Sequence, residues 1–360
     1  MPSDSERYAG ALLHRSGWIA EGFHPRDLAS DRFATVFPGY HTLTDRPATV
    51  NAMAWVLQNR VRPRSVLSHT TAALLWDIPL PWRLEDGVGL LRRPGLPARD
   101  GVTIMPSVLP DRSLRAGAAL PVLHCRVERG GSSGIGRGAI VHRSRGGQVS
   151  EVGGLVVSSR GETLRELATL MPLWDVVAAV EAVVGPQRDH PEETVASLSE
   201  AMARARGRAG VPQMRAALGI ARGNVRSPGE TVFRLLLEAV GFPPTTPNLP
   251  VRDPLTGQPR EIDLAWEGVG LGLEYDGEGH RLTRDQWRED EARRDELASY
   301  GWTLVRANGA DLWRPLRLLL RLRRTLQGRG LLVPSEKLVR ERLEVIARQE
   351  LSLRIRRRQP

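Results

Sequence analysis

Glu261-Ile262-Asp263-Leu264-Ala265-Trp266, then Glu267-Gly268-Val269-Gly270, then Leu271-Gly272-Leu273-Glu274-Tyr275-Asp276-Gly277-Glu278-Gly279-His280, is the stretch on which the reading of this chain turns. Each arm has the make-up of a short strand, and the four residues between them hold two glycines, so the stretch predicts a β-hairpin with a glycine-bearing loop. Side chains alternate faces along a strand. Glu274 and Asp276 therefore share a face, as do Glu261 and Asp263 on the partner arm, and in matching register up to four carboxylates meet on one surface. Leu264, Leu273 and Tyr275 read as core.

Clustered carboxylates raise one another's pKa and oppose joint ionisation. A divalent cation removes that cost. Hard cations such as Mg²⁺ take oxygen ligands, commonly one or two carboxylates completed by waters and phosphate oxygens. The same arrangement activates a water and steadies the leaving oxygen in phosphodiester cleavage. The alternative is an acidic hairpin face that is solvated and inert.

The flanks extend the pattern. Ser227-Pro228-Gly229-Glu230 opens an apolar helix that Gly241 closes, and Thr283-Arg284-Asp285-Gln286 opens another that runs to Tyr300 and stops at Gly301; both starts fit a capping box and both ends a glycine C-cap. Trp302-Thr303-Leu304-Val305-Arg306 reads as a further strand, with Trp302 in the core, and residues 311–325 as a Leu/Arg amphipathic helix. The predicted order is helix, strand, strand, helix, strand, helix.

With Glu230 on the first helix, Asp263 in the first hairpin arm and Glu274-Tyr275-Asp276-Gly277-Glu278-Gly279-His280 in the second, this order resembles the restriction-endonuclease-like PD-(D/E)XK superfamily. Within it the likeness is to the domain family related to the very short patch repair (Vsr) endonucleases, carried further by Asp290, Arg293 or Arg294, Gly301-Trp302 and Arg306. It covers residues 227 to about 325. It implies a metal-dependent DNA endonuclease in which Asp263, Glu274 and Asp276 hold Mg²⁺ or Mn²⁺, with Glu230 among the catalytic carboxylates. The superfamily's usual lysine is missing, because Asp276 stands in its place and Lys337 is the only lysine. The resemblance instead assigns proton transfer to His280, whose type titrates near neutral pH. Glu230 fits a capping-box role as well as a catalytic one. Arg293 and Arg294 fit either phosphate binding or ion pairing along their own helix.

The net charge of +10 sits mostly at one end: Ala310 to Pro360 carries 14 Lys and Arg against 5 Asp and Glu, an excess of 14 − 5 = 9. Arg354, Arg356, Arg357 and Arg358, with the Arg-rich helix before them, suit a phosphate backbone, so DNA is the expected partner and RNA stays open. A solvated helix and basic terminus is the competing reading. A 41% hydrophobic chain of 360 residues has enough apolar content for two or three domains. It shows neither a run that would span a membrane nor an evident signal peptide, which makes the cytoplasm the expected location. Cys125 is the only cysteine, which excludes an internal disulfide and a cysteine zinc site. Oligomeric state is not legible.

The first 220 residues show no catalytic constellation. Arg26-Asp27-Leu28 reads as a short helix and Arg32 to Tyr40 as a strand and turn, a winged-helix-like element within residues 1–62. A middle α/β domain with linker is expected over 63–222, an endonuclease-fold domain over 227–328 and a basic helical tail over 329–360. Phe37-Pro38-Gly39-Tyr40 and Ser68-His69-Thr70-Thr71-Ala72-Ala73-Leu74-Leu75-Trp76, with Gly153 to Ala168, resemble the N-terminal half of AbiEi-type antitoxin-like proteins. That implies an alternative function, a DNA-binding regulator carrying an inactive nuclease fold. Ser68 is the expected cap of its helix, and His69 its first residue. Gly130 to Gly138 reads as a flexible loop rather than a phosphate cradle, since it has no Gly-Lys-Ser/Thr. The fold class expected overall is a multidomain α/β (α+β) protein.

Overall fold

Proline and glycine placement and the switch between two- and three-to-four-residue apolar periods set the secondary structure. The computed structural model describes it over residues 4–80, 122–128, 138–144, 146–186, 193–253, 257–276 and 284–356. The fold is α+β and multidomain, with mixed sheets. The chain divides into two compact units: Met1–Met171 with Ser197–Arg215, and Pro172–Ala196 with Ala216–Pro360.

The first unit begins with α1 (Asp4–Arg7), β1 (Leu13–His14), α2 (Arg15–Ala20), β2 (Phe33–Phe37), β3 (Tyr40–Leu43) and α3 (Val50–Val56). Its strands form an antiparallel sheet in the order β1-β3-β2, and the β2–β3 turn passes through Gly39 at φ 78°. Tyr8, Trp18, Phe23 and Phe33 pack edge to face beneath it. Then follow β4 (Val66–Leu67), α4 (His69–Leu75), β5 (Leu123–Glu128), β6 (Ala139–Ser144), β7 (Val149–Val152), β8 (Leu155–Ser158) and α5 (Arg160–Leu167), whose strands lie in the order β6-β5-β4-β8-β7. One apolar cluster joins Val36, Phe37 and Met53 to Leu67, Leu123, Cys125 and Val157. The boundary predicted at residue 62 is therefore not a break in packing. Cys125 is buried as expected, and burial pushes its thiol up to about 11.

The second unit contains α6 (Leu173–Val184), and two further helices, α7 (Val195–Arg204) and α8 (Val211–Ile220), fall at the division between the units. The linker predicted over the later part of residues 63–222 is thus largely helical, and α6 belongs with the C-terminal residues. α9 (Pro228–Val240) begins at Ser227, whose hydroxyl accepts from the Glu230 N–H, and ends at Gly241 in the left-handed region, φ 96°. Glu230 reaches back to the Arg226 N–H rather than to the Ser227 N–H, so the predicted capping box is only half formed. β9 (Thr246–Arg252), β10 (Pro259–Trp266), β11 (Leu271–Asp276), α10 (Arg284–Ser299), β12 (Thr303–Asn308), α11 (Gly309–Trp313), α12 (Leu316–Gly328) and α13 (Glu336–Arg356) complete it. β9 was not predicted. Its Pro247 and Pro250 suit the sheet edge it occupies.

The sheet runs β12-β11-β10-β9, antiparallel across β9, β10 and β11 and parallel between β11 and β12, which α10 connects. On one face Leu264, Trp266, Leu271 and Leu273 pack against Phe233, Leu237 and Val240 of α9, Leu318, Leu319, Leu322 and Leu326 of α12, and Val339 of α13. Each such fully buried side chain contributes roughly 1.5–3 kcal/mol. Ile262 and Ala265 pack instead with Leu297 of α10 and the partly buried Trp302 and Leu304. Within the predicted basic helical tail, 329–360, α13 is helical, but its first part is a core element: Val339 is completely buried, and Leu343 and Ile346 join the same core. No helix among the described residues is long and apolar enough to cross a membrane.

Candidate functional site

The hairpin pairs Leu264 with Leu273, Ala265 with Gly272 and Trp266 with Leu271, around a loop in which Gly270 takes φ 58°. The ladder ends there for a visible reason. The Tyr275 N–H, next in line to bond across to β10, donates to Asp263 Oδ2 at 2.8 Å. On the other side of β10, Asn248 lies at φ 46°, and the registered pairs step from Ile262↔Leu249 to Leu264↔Pro247. Asp263 thus sits where the pairing is interrupted on both sides of β10, at an unshifted register, and Ile262 and Ala265, three positions apart, share a cluster.

Two further carboxylates act on Asp263. Glu274 is 7% exposed and Glu230, at the start of α9, 5%. Burial pushes the Asp263 carboxyl up to about 7; the Tyr275 N–H opposes this, the charges of Glu230 and Glu274 add to it, and Arg293 works against it. Glu230 Oε2 accepts from the Arg226 N–H at 3.2 Å and from Asn248 Nδ2 at 2.7 Å. α9 approaches so closely that a Cβ on Gly229 would lie 2.0 Å from the Tyr275 ring. The strand carrying Glu274 is therefore held against the helix carrying Glu230.

Other predicted site residues lie elsewhere. Glu261 turns to Arg226, 2.6 Å away, so the four-carboxylate surface is not formed. Asp276 is exposed at the end of β11, opposite Asn308. His280 falls outside the described residues, as do Arg357, Arg358, the Thr283 cap and most of the Gly130–Gly138 loop. Arg354 and Arg356 lie in the last turn of α13, with side chains outside the described set. Arg293 is engaged internally: Nη2 donates to Glu274 Oε1 and to the Glu261 carbonyl, each at 2.6 Å. Arg294 pairs with Glu291 at 2.6 Å, and Arg306 lies 4.0 Å from the same carboxylate. Arg321 donates to the Arg306 carbonyl and Arg323 to that of Pro334. Part of the basic helix is thus committed to the fold.

The first unit holds a polar cluster that the sequence reading missed. His69, His124 and His142 bring ring nitrogens within 4.8 Å of one another, the one such convergence of three or more His, Cys, Asp or Glu side chains among the described residues. The Ser68 hydroxyl, predicted to cap α4, makes no cap hydrogen bond and lies 3.0 Å from His69 Nδ1. Burial lowers all three imidazoles, His124 to about 3 and His142 to about 4. Beside them Glu166 accepts the His69 N–H at 3.0 Å and faces Arg126 at 3.4 Å. The three histidines are dispersed over 74 positions, counting from 69 to 142, with no ligand spacing to betray them.

No family model and no solved structure matches this chain. Two uncharacterized proteins of Mycobacterium tuberculosis, from strains CDC 1551 / Oshkosh and H37Rv, are each 29% identical to it over 191 residues, which is 52% of this chain and 68% of theirs.

Proposed function

We propose that the chain is a metal-dependent DNA endonuclease acting at the splayed end of the β10–β11 pair. The observation that carries this reading is Asp263: a partly buried carboxylate in the field of the buried Glu230 and Glu274, whose electrostatic cost the Tyr275 N–H and Arg293 offset only in part and a divalent cation relieves. The donor chemistry fits a hard cation. Asp263 Oδ1 and Glu274 Oε2 accept no hydrogen bond from a described residue, and two carboxylates suffice when waters and phosphate oxygens fill the other positions. Asp263 and Glu274 would hold Mg²⁺ or Mn²⁺; Asp276, at the exposed strand end, does not converge with them in the structure and would reach the ion only by movement of that end. The bound ion would supply Lewis-acid charge at the phosphate and lower the pKa of a water.

The chain's own residues have separate tasks in this scheme. Asn248 and the Arg226 N–H orient Glu230, and the Tyr275 N–H orients Asp263. His280 takes the proton of the attacking water, as the resemblance to the Vsr-related family implies. Arg306 and the basic C-terminal residues bind phosphates.

The test is cleavage of supercoiled plasmid with Mg²⁺ or Mn²⁺ by the wild type and by Asp263→Ala. Nicking that disappears in the variant and with chelator supports the reading. Equal cleavage by both proteins, or none by either, overturns it. A second reading, a DNA-binding regulator with an inactive nuclease fold, is favoured by one observation: Arg293 already occupies Glu274 Oε1 at 2.6 Å, which partly neutralises a ligand without any ion. Salt-dependent DNA retention without cleavage would select it.

A further inference from the structure

We propose that His69, His124 and His142 form a transition-metal site in the first unit, suited to Zn²⁺ and separate from the acidic site of the second. The fold assembles it from distant sequence. β5 and β6 are parallel neighbours with His124 opposite Ile140 and Arg126 opposite His142, so His124 and His142 stand on one face of the sheet. Cys125 points to the other face, into the apolar cluster, and is excluded as a ligand. α4 begins over the histidine face, and its first residue, His69, is held at φ 51° with only 6% of its surface exposed. A non-glycine residue in that region costs on the order of 1 kcal/mol. Here it aims the imidazole at the other two.

The geometry suits nitrogen ligation. His124 Nδ1 and His142 Nε2 share a hydrogen bond at 3.0 Å, whose proton an entering ion must displace. Two nitrogens at that separation subtend about 95° at an ion bound at the usual Zn–N length, so a small opening reaches a tetrahedral angle. The His69 ring stacks on that of His142 with centroids 3.6 Å apart and planes 18° from parallel. Lone pairs lie in the ring planes, so binding requires His142, the partly exposed member, to tilt out of the stack. The ligand set is all imidazole, which selects borderline metals over Mg²⁺ or Ca²⁺. Three protein ligands leave the fourth position for water, the layout of an open zinc site.

The surroundings supply the supporting contacts that zinc-binding histidines use. Ser68 Oγ and Glu166 Oε2 lie 3.0 and 3.9 Å from His69 Nδ1, which leaves Nε2 as the ligating atom. The nearby cations are paired: Arg126 faces Glu166 at 3.4 Å, and Arg165 and Arg208 face Glu162 at 2.9 and 2.6 Å. Three guanidinium groups face two carboxylates there, and burial raises the Glu166 carboxyl to about 7, so an entering ion meets a residual positive charge that ligation by three imidazoles must outweigh.

The test uses the full chain, stripped with chelator and equilibrated with Zn²⁺ or Co²⁺ alone. One ion per chain is expected, with visible d–d absorption from the Co²⁺ form. His142→Ala should weaken binding by at least about 100-fold and Glu166→Gln by roughly 10- to 100-fold, while Asp263→Ala leaves it unchanged. Histidine ¹⁵N spectra of the wild type, which need no variant to fold, should show three imidazole spin systems moving with Zn²⁺. Absence of uptake at micromolar Zn²⁺, unmoved imidazole resonances, or wild-type affinity in folded His142→Ala would overturn the site. Loss of uptake in Asp263→Ala alone would do the same, since the ion would then belong to the second unit.

Discussion

At the residue scale the behaviour of Asp263 follows from where its proton prefers to be. Its carboxyl titrates near 7 in the folded chain, against 3.8 for the free group. Below about pH 4 both folded and unfolded forms hold the proton and the residue costs nothing. As pH rises from about 4 to 7 the unfolded chain releases the proton while the folded chain keeps it, so stability falls. Above about 7 the loss is complete and constant. Asp263→Asn removes the ionisation and leaves an oxygen for the Tyr275 N–H. The variant should match the wild type near pH 4 and exceed it at pH 8 by on the order of 2 kcal/mol, discounted for partial exposure. Urea titrations of both proteins across this range check it, the comparison with the variant cancelling the opposite contribution of the buried histidines, and a variant no more stable than the wild type at pH 8 would contradict it. On the proposed function, Mg²⁺ at pH 8 should stabilise the wild type and not the variant.

The elements show which physical rules could be read along the chain. The β10–β11 hairpin and the closure of α9 and α10 were legible, because local chemistry decides them: glycine at φ 96° and 86° after each helix, and at 58° in the hairpin loop. β9 was not, since two prolines argue against a strand unless its edge position is known. The alternation rule placed Glu261 with Asp263, but the pairing is interrupted there, beside Asn248, and Arg226 draws Glu261 aside. The link between α6 and α9 was also invisible, since it rests on a buried pair 53 positions apart: Arg234 Nη2 donates to Glu181 Oε1 at 2.6 Å, both side chains 1% exposed. Glu181 also takes the Arg222 N–H at 2.7 Å, and burial raises its pKa despite these partners. Arg234→Leu strands that carboxylate and should cost about 3–5 kcal/mol. The Glu181→Leu/Arg234→Leu double variant should recover much of the loss, because paired desolvation disappears with both charges. Chemical denaturation of Arg234→Leu, Glu181→Leu and the double variant decides it; a double variant whose loss equals the sum of the two single losses would show that no such coupling exists.

For the whole molecule, net charge overstates what a phosphate backbone would meet. Of the arginines that make the C-terminal region basic, Arg321 and Arg323 bind carbonyls of the fold, Arg329 binds the hairpin loop and Thr303, and Arg340 pairs with Glu336. An arginine already bound to a carbonyl or carboxylate must give up that bond to take a phosphate, so its contribution to nucleic-acid affinity is reduced. Arg354, Arg356, Arg357 and Arg358 lie beyond Ile346, the last of the described side chains in this core, and are charged whatever their arrangement. If the chain binds DNA as proposed, these four carry a disproportionate share of the counterion release. Replacing all four with Gln should flatten the slope of log K against log salt by up to about 3–4, since each neutralised phosphate adds roughly 0.9. Affinity at low salt should fall with it, while metal-dependent cleavage of saturating DNA should persist, because the acidic site lies on strands these residues do not build. An unchanged salt slope would return the basic terminus to the status of a solvated end, and a loss of cleavage at saturation would tie it to the chemistry instead.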